Sequence, residues 1–402
     1  MMFTDRVLSG MRPTGNLHLG HYHGVLKNWI RLQHEYQCLF FVADWHALTT
    51  HYDSPSTIEH NTREMLIDWI AAGVDPSRAV LFIQSHVPEH AELHLLLSMI
   101  TPLGWLERVP TYKEQQEKLS DKDLSTYGFL GYPLLQSADI LIYRANMVPV
   151  GEDQVPHVEF TREIARRFNH LFGKEPGFEE KAQEAIRKLG ARGAKAYREL
   201  RTRYLEQGDT EALASARALL EESQNLGSAD RERLFGYLEG GGRIILTEPE
   251  ALLTAASRMP GTDGQKMSKS YQNTIGLREH PDTVIKKIRT MPTDPARVRR
   301  TDPGDPEKCP VWQFHLVYSD EPCKQWVQEG CRSAGIGCLQ CKQPVIDAIL
   351  SEQHPMHERV KPYLADPQLL DGIVAAGCEQ ARNLAQETMR DAREAMGLAR
   401  RR

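Results

Sequence analysis

The sequence predicts an α/β protein built on a doubly wound parallel sheet, interrupted by a block of helices and followed by a longer helical region. Three observations predict this. Short apolar runs alternate with helical patterns over residues 6–85. A stretch rich in Ala, Glu and Arg, 174–242, carries apolar residues at helical spacing. From residue 281 the pattern stays helical to the basic end MGLARRR.

The elements follow in order. RVLSGM (6–11) reads as a short buried strand, and RPTGN after it as a turn. Leu19 to Tyr36 reads as a helix with Leu26, Trp29, Ile30 and Leu32 on its apolar face. CLFFVADWHAL (38–48) predicts a second strand, apolar on both faces until Asp44. A helix over 56–73 and a strand at AVLFIQS (79–85) come next. Runs apolar on both faces belong to parallel strands covered by helices, and β-α-β alternation builds a doubly wound domain. In the Ala-rich stretch, Tyr197, Leu200 and Tyr204 share a helical face. Breaks are expected at Gly190, Gly193 and Gly208, and GGG (240–242) closes the block. The expected divisions are 1–173, 174–242, 243–280 and 281–402.

Composition narrows the class. A chain of 402 residues suggests roughly two or three domains. With 41% apolar and 26% charged residues it reads as folded rather than disordered. A net charge of −5 argues against wholesale coating of nucleic acid but leaves room for a local basic patch. No apolar run reaches the roughly 18 residues of a membrane span. MMFTDRVLSG lacks the charged and apolar regions of a signal peptide. The expected setting is the cytoplasm, without a membrane, where clustered thiols read as metal or catalytic groups.

Two segments suit phosphate. PTGNLHLGH (13–21) lies where the first strand turns into the first helix, a position with free N–H groups and a positive dipole end. His18 and His21 are three residues apart and can donate to phosphate oxygens; Gly20 leaves room for a flat ring or a ribose. GTDGQKMSKS (261–270) reads as a mobile loop that places the ammonium groups of Lys266 and Lys269 close together, with Ser268 and Ser270 as further donors. Such a loop suits charge that develops on a leaving pyrophosphate. Each segment alone is commonplace: capping histidines in one case, a solvated lysine loop in the other.

A third segment is CRSAGIGCLQC (331–341), which with Cys309 gives four cysteines at C-x₂₁-C-x₆-C-x₂-C. Thiolates so spaced can close on zinc or on a [4Fe–4S] cluster. Cys338 and Cys341 could equally be small buried apolar residues. Cys38 reads as core, and Cys323 and Cys378 lie outside the pattern.

P-x-G-x-x-H-x-G-H followed about 250 residues later by K-M-S-K-S resembles the paired signatures of class I aminoacyl-tRNA synthetases. YPLLQSADILIY (132–143), VPVGEDQVPHVEFTREIARRFN (148–169) and LQHEYQCLFFVADWHALT (32–49) resemble the tryptophanyl-tRNA synthetase family. The resemblance runs over most of 5–170 and from 258 to the end. It implies a Rossmann-like catalytic domain with a helical insertion and an all-α C-terminal anticodon-binding domain. It implies ATP-dependent activation of L-tryptophan with Mg²⁺, transfer to tRNA(Trp), and a homodimer.

It also implies roles. His18, His21, Lys266, Ser268 and Lys269 carry catalysis. Arg12, Thr14, Gly20, Gly151, Asp153 and Met267 join Lys266 and Ser268 around ATP. Leu8, Gly10, His46, Tyr132, Gln136, Asp139 and Gln154 hold tryptophan, with Asp139 accepting the indole N–H and Tyr132 and Gln154 handling the α-amino group. Lys113 is a candidate phosphate contact. The chain departs from the family at Gln136, where many members have Met, and at Arg12, where they have Gln. KCPVWQ and GCRSAGIGCLQCKQP resemble members that carry an iron–sulfur cluster, which favours [4Fe–4S] over zinc at Cys309, Cys331, Cys338 and Cys341. Arg332 and Lys342 beside them would suit tRNA backbone contacts. The tyrosyl enzyme, which shares the fold, is disfavoured by the context of Asp139. A non-catalytic RNA-binding paralogue is disfavoured by two intact phosphate signatures.

Overall fold

The computed structural model describes residues 5–53, 55–109, 126–173, 177–238, 241–253 and 259–398. The first unit is β1 (Arg6–Met11), α1 (Leu19–His21), α2 (Lys27–Leu32) and β2 (Gln37–Val42). α3 (Asp44–His51), α4 (Ser56–Ala72), β3 (Ala79–Ile83), α5 (Glu89–Ser98) and α6 (Leu103–Leu106) follow. Next come α7 (Tyr127–Leu130), α8 (Tyr132–Leu141), β4 (Met147–Val150) and α9 (Val155–Phe172). The inserted helices are α10 (Phe178–Lys188), α11 (Gly190–Gln207), α12 (Thr210–Glu222) and α13 (Ser228–Leu238). β5 (Glu250–Leu253), α14 (Pro281–Thr290), α15 (Pro310–Tyr318), α16 (Glu321–Arg332), α17 (Cys338–Ala365) and α18 (Pro367–Ala395) complete the chain.

The five strands form one parallel sheet in the order β3-β2-β1-β4-β5. β2 sits inside it, and Cys38 to Val42 are buried on both faces, which is why the run reads as unbroken apolar. The strand stops at Val42 rather than at Leu48. Asp44 accepts the N–H of Trp45 and of Ser85, so DWHAL opens α3 instead of extending β2. β3 likewise ends at Ile83, and Gln84–His86 forms a 3₁₀ turn.

The helix expected over Leu19–Tyr36 is a composite. Between α1 and α2 lies a π-helical turn, Tyr22–Leu26. Such a turn costs hydrogen-bond geometry and is commonly kept where a side chain must be re-aimed. Here His23 Nε2 meets Tyr318 at 3.0 Å and Glu352 at 3.1 Å, tying this segment to α15 and α17.

The inserted helices bury a core of their own around Tyr197, Ile186, Leu220 and Leu234. Gly208, at φ 66°, ends α11, as left-handed glycines do, and Asp209 caps α12. Gly193 does not break α11, because a single helical glycine costs only about 1 kcal/mol relative to Ala. The C-terminal helices, in contrast, share the core of the sheet: Val345, Ile349, Val374 and Met389 join Leu8, Phe40 and Leu81. α18 crosses the edge strand β3 so closely that a Cβ at Gly377 would lie 1.9 Å from the Leu81 carbonyl oxygen. No described helix is long and apolar enough to cross a membrane.

Candidate active site

In this strand order the chain leaves β1 toward β2 and leaves β4 toward β5, on the opposite side. Ligands of such sheets bind outside the carboxyl ends of the strands where the order reverses. Both phosphate-type and substrate-type candidates converge there. Arg12 and the 13–21 segment leave β1; Gly151, Asp153 and Gln154 leave β4.

At the nucleotide end, His18 caps α1 rather than lying within it, and its ring centroid is 3.9 Å from that of His21. His18 Nδ1 accepts the N–H of Gly20 at 3.1 Å, and His21 Nδ1 accepts the N–H of His18 at 3.2 Å. Burial lowers His18 to about 4, helped by Lys269, and lowers His21 to about 3, helped by His18 and Lys269. Both imidazoles are therefore neutral near pH 7. With Nδ1 occupied as an acceptor, each must carry its proton on Nε2, which leaves two N–H donors for a phosphate. The room at Gly20 is taken by the His18 ring, since a Cβ there would lie 2.9 Å from it; the glycine serves the histidine first.

The 261–270 segment is docked against this turn. Lys269 Nζ donates to the carbonyls of Gly15 at 2.8 Å and Thr14 at 3.3 Å. Burial pushes its ammonium below the ordinary lysine range, and Asp68 opposes this. Lys266 is exposed, Met267 is buried and Ser268 is half-buried. Asn273, a residue without a motif to mark it, staples the loop: its side chain bonds Ser268 N–H, Asp263 and the Lys266 carbonyl. Asp68 on α4 ties the first signature to the segment after the second, accepting Leu17 N–H at 3.0 Å and Arg278 Nε–H at 2.5 Å.

At the other end stands Asp139, 1% exposed in the last turn of α8, buried rather than on the surface. Its Oδ2 accepts from His46 Nε2 at 2.8 Å. Its Oδ1 accepts from His90 Nδ1 at 2.7 Å and Gln84 Nε2 at 2.8 Å. Burial alone would raise this carboxyl; the bonds from His46 and His90 outweigh it and hold the group well below the usual carboxylate range. Tyr132, Gln136 and Asp139 lie on one face of α8 at i, i+4, i+7 spacing. Arg12, exposed at the exit of β1, is within electrostatic reach of the Tyr132 phenol, so the two ends meet.

Other expected residues fall as follows. Leu8 is core, and Gly10 lies opposite Phe41, whose ring would be 2.5 Å from a Cβ at Gly10; the close approach is to this ring. Thr14 is exposed in the turn. Gly151 precedes an exposed 3₁₀ turn bearing Asp153 and Gln154. Lys113 lies outside the described residues. Sequence reasoning missed Gln84, His90, Asp68 and Asn273; Gln84 and Asp68 are marked only by being polar in apolar runs, and His90 and Asn273 by nothing local.

The four cysteines share one corner. Burial pushes the Cys341 thiol up to about 12, and Cys309, Cys331 and Cys338 add to this, so they lie within electrostatic reach. Cys341 Sγ is 3.3 Å from His315 Nε2. Among the described residues no group of three or more His, Cys, Asp or Glu is gathered closely enough to hold a metal ion. Lys342 is not available to RNA: 3% exposed, it donates to the carbonyls of Arg289 and Met291 and so caps α14. Arg332 is exposed.

The family described as tRNA synthetases class I (W and Y) matches residues 4–186 and 213–351. The chain belongs to this family. The stretch between the matched parts lies in the inserted helices. A class I relative from Ralstonia nicotianae, named tryptophan–tRNA ligase, is 73% identical over 397 residues, spanning 99% of each chain. One of the same name from Thermotoga maritima is 44% identical over 396 residues, spanning 98% of this chain and 99% of its own. The solved tryptophanyl-tRNA synthetase of Campylobacter jejuni, complexed with ADP and tryptophane, matches with a TM-score of 0.72 at 28% identity, covering 98% of this class I chain and 100% of its own.

Proposed function

We propose that the chain activates L-tryptophan with ATP and transfers the tryptophanyl group to tRNA(Trp), acting as a tryptophan–tRNA ligase. The observation that carries this reading is Asp139: a buried, ionised carboxylate with Oδ1 doubly bonded and Oδ2 bonded, among the described residues, only to His46. That leaves an acceptor site for an indole N–H, the one polar group on an otherwise apolar side chain. The near-complete relatives named tryptophan–tRNA ligase support the same substrate.

The chemistry needs position and charge rather than a base. A tryptophan carboxylate oxygen attacks the α-phosphorus of ATP, the bond to the β-phosphate oxygen breaks, and pyrophosphate leaves. The carboxylate is already a nucleophile. His18 and His21 offer Nε2–H donors, and Lys266, Ser268 and Lys269 offer charge and a hydroxyl to the oxygens that gain charge. Arg12, Thr14, Gly20, Met267, Gly151 and Asp153 frame the nucleotide. Leu8, Gly10, His46, Tyr132, Gln136 and Gln154 frame the amino acid. Mg²⁺ bound through the ATP phosphates would neutralise part of their charge. In the second step the 2′-OH of the terminal tRNA adenosine takes the acyl group and AMP leaves. Pyrophosphate exchange tests the reading: it should depend on tryptophan, and exchange with tyrosine alone would overturn it.

We further infer that Cys309, Cys331, Cys338 and Cys341 are ligands of a [4Fe–4S] cluster, with zinc as the alternative. What supports this is that the four thiols share one corner and that those of Cys331 and Cys341 are raised by burial, a cost that a metal would offset. Its chemistry there would be structural, closing the 331–341 turn onto α15 and α17. Anaerobic purification should yield near-stoichiometric iron and acid-labile sulfide, both lost in Cys338→Ser; zinc alone would decide for the alternative. A homodimer and a cytoplasmic location complete the reading.

A further inference from the structure

The carboxylate that reads the substrate does not hold its own orientation. His90, 0% exposed on α5, supplies one of the two donors on Asp139 Oδ1. Its other nitrogen, Nε2, lies 2.6 Å from the Tyr143 hydroxyl. An ionised carboxylate only accepts, so Nδ1 carries a proton toward Asp139, while Nε2 is paired with the Tyr143 hydroxyl. Burial keeps the Tyr143 phenol protonated, well above the ordinary tyrosine range. The result is a buried chain from Tyr143 through His90 to Asp139.

Packing prevents the ring from escaping this role. Its centroid lies 6.1 Å from those of Phe41 and Phe82 and 5.2 Å from that of Tyr143. The preceding residue, Glu89, is gripped by Arg382 and Gln386 of α18, both at 3.1 Å, which anchors the start of α5. Tyr143 follows α8, the helix that bears Asp139, so α5 and α8 are cross-linked through the imidazole.

We propose that His90 is a positioning and specificity-determining residue: held through Nε2 by Tyr143, it pins Oδ1 of Asp139 through its Nδ1–H and so leaves Oδ2 as the oxygen that accepts the substrate N–H. The inference rests on the reading of Asp139 as the indole partner. His90 touches no substrate and acts through the carboxylate. Tolerance of an analogue without the N–H is thereby set by a residue 49 positions away in sequence.

The test uses two amides that mimic opposite halves of the ring. Asn places an N–H near the position of Nδ1; Gln places it near Nε2. The full-length enzyme is assayed by pyrophosphate exchange with tryptophan and with benzothienylalanine, which has tryptophan's shape with sulfur in place of N–H. Wild type should strongly prefer tryptophan. In His90→Gln the preference should fall about 10- to 100-fold, through a higher KM for tryptophan with the KM for ATP unchanged. In His90→Asn most of the preference should remain. Equal effects of Asn and Gln, or parallel losses for both substrates, would reduce His90 to a packing residue and overturn the proposal. Asp139→Asn, measured alongside, separates the two readings. If it leaves the preference intact, the indole reading fails and takes the proposal with it. If it abolishes the preference while the two His90 variants behave alike, the proposal alone fails.

Discussion

The two ends of the site are built by opposite strategies. At the nucleotide end the groups are neighbours in sequence: His18, Gly20 and His21 bond one another within a single turn. At the amino-acid end they come from afar. Asp139 meets partners 49, 55 and 93 residues away, on α5, the turn after β3, and α3. A phosphate is bound by any well-placed row of N–H donors, so a short turn can be self-sufficient. A buried carboxylate is stable only when several donors converge on it from different directions, which no local segment can arrange.

The sharpest way to break this contrast is Asp139→Ala. It leaves three buried donors without their acceptor and removes the proposed indole partner. The kcat/KM for tryptophan should fall by ~10³-fold, with a loss of stability of about 3 kcal/mol. Steady-state exchange and chemical denaturation read both. If activity survives, the amino-acid end lies elsewhere.

Lys269→Ala probes the other end. The rate of adenylate formation should drop by ~10²-fold, the size expected for one lost charge-stabilising donor. Equilibrium binding of tryptophan alone should be unchanged. A variant that lost both would mean that the ends are not separable.

Acid distinguishes the ends through stability. His18 and His21 sit at about 4 and about 3 in the fold, against 6.5 when unfolded. Below 6.5 the unfolded chain takes up protons that the folded one refuses, so stability is lost as pH falls from about 6.5 toward about 4. His21→Asn should flatten that slope in urea titrations run across this range. The smallest effect is expected outside both ends. Tyr197→Phe removes the bond from the Tyr197 hydroxyl to the Leu234 carbonyl in the inserted helices. It should cost about 1 kcal/mol and leave exchange untouched.

Legibility follows the same division. The first strand, the helix 56–72 and the helical character of the insertion were readable because each repeats an apolar period within a dozen residues. The ends of β2 and β3 were not: DWHAL and QS look like more strand until Asp44 is seen to accept from Trp45 and Ser85, and Gln84 to turn toward Asp139. Lys342 reads as an RNA contact because it flanks the cysteines, and only the packing of α17 on α14 turns it into a buried cap.

The sequence by itself determined the candidate chemistry of this protein: its candidate phosphate donors, its candidate carboxylate, its thiols, and the alternation that makes a parallel sheet. Those properties belong to residue types and to spacings within one turn or strand. Only the tertiary structure decided that Asp139 accepts from His46, His90 and Gln84, that His18 and His21 present Nε2–H, and that Lys269 lies against Gly15. Each of these depends on burial and on partners brought from another segment. Burial and distant partners are what folding creates and a linear sequence does not contain.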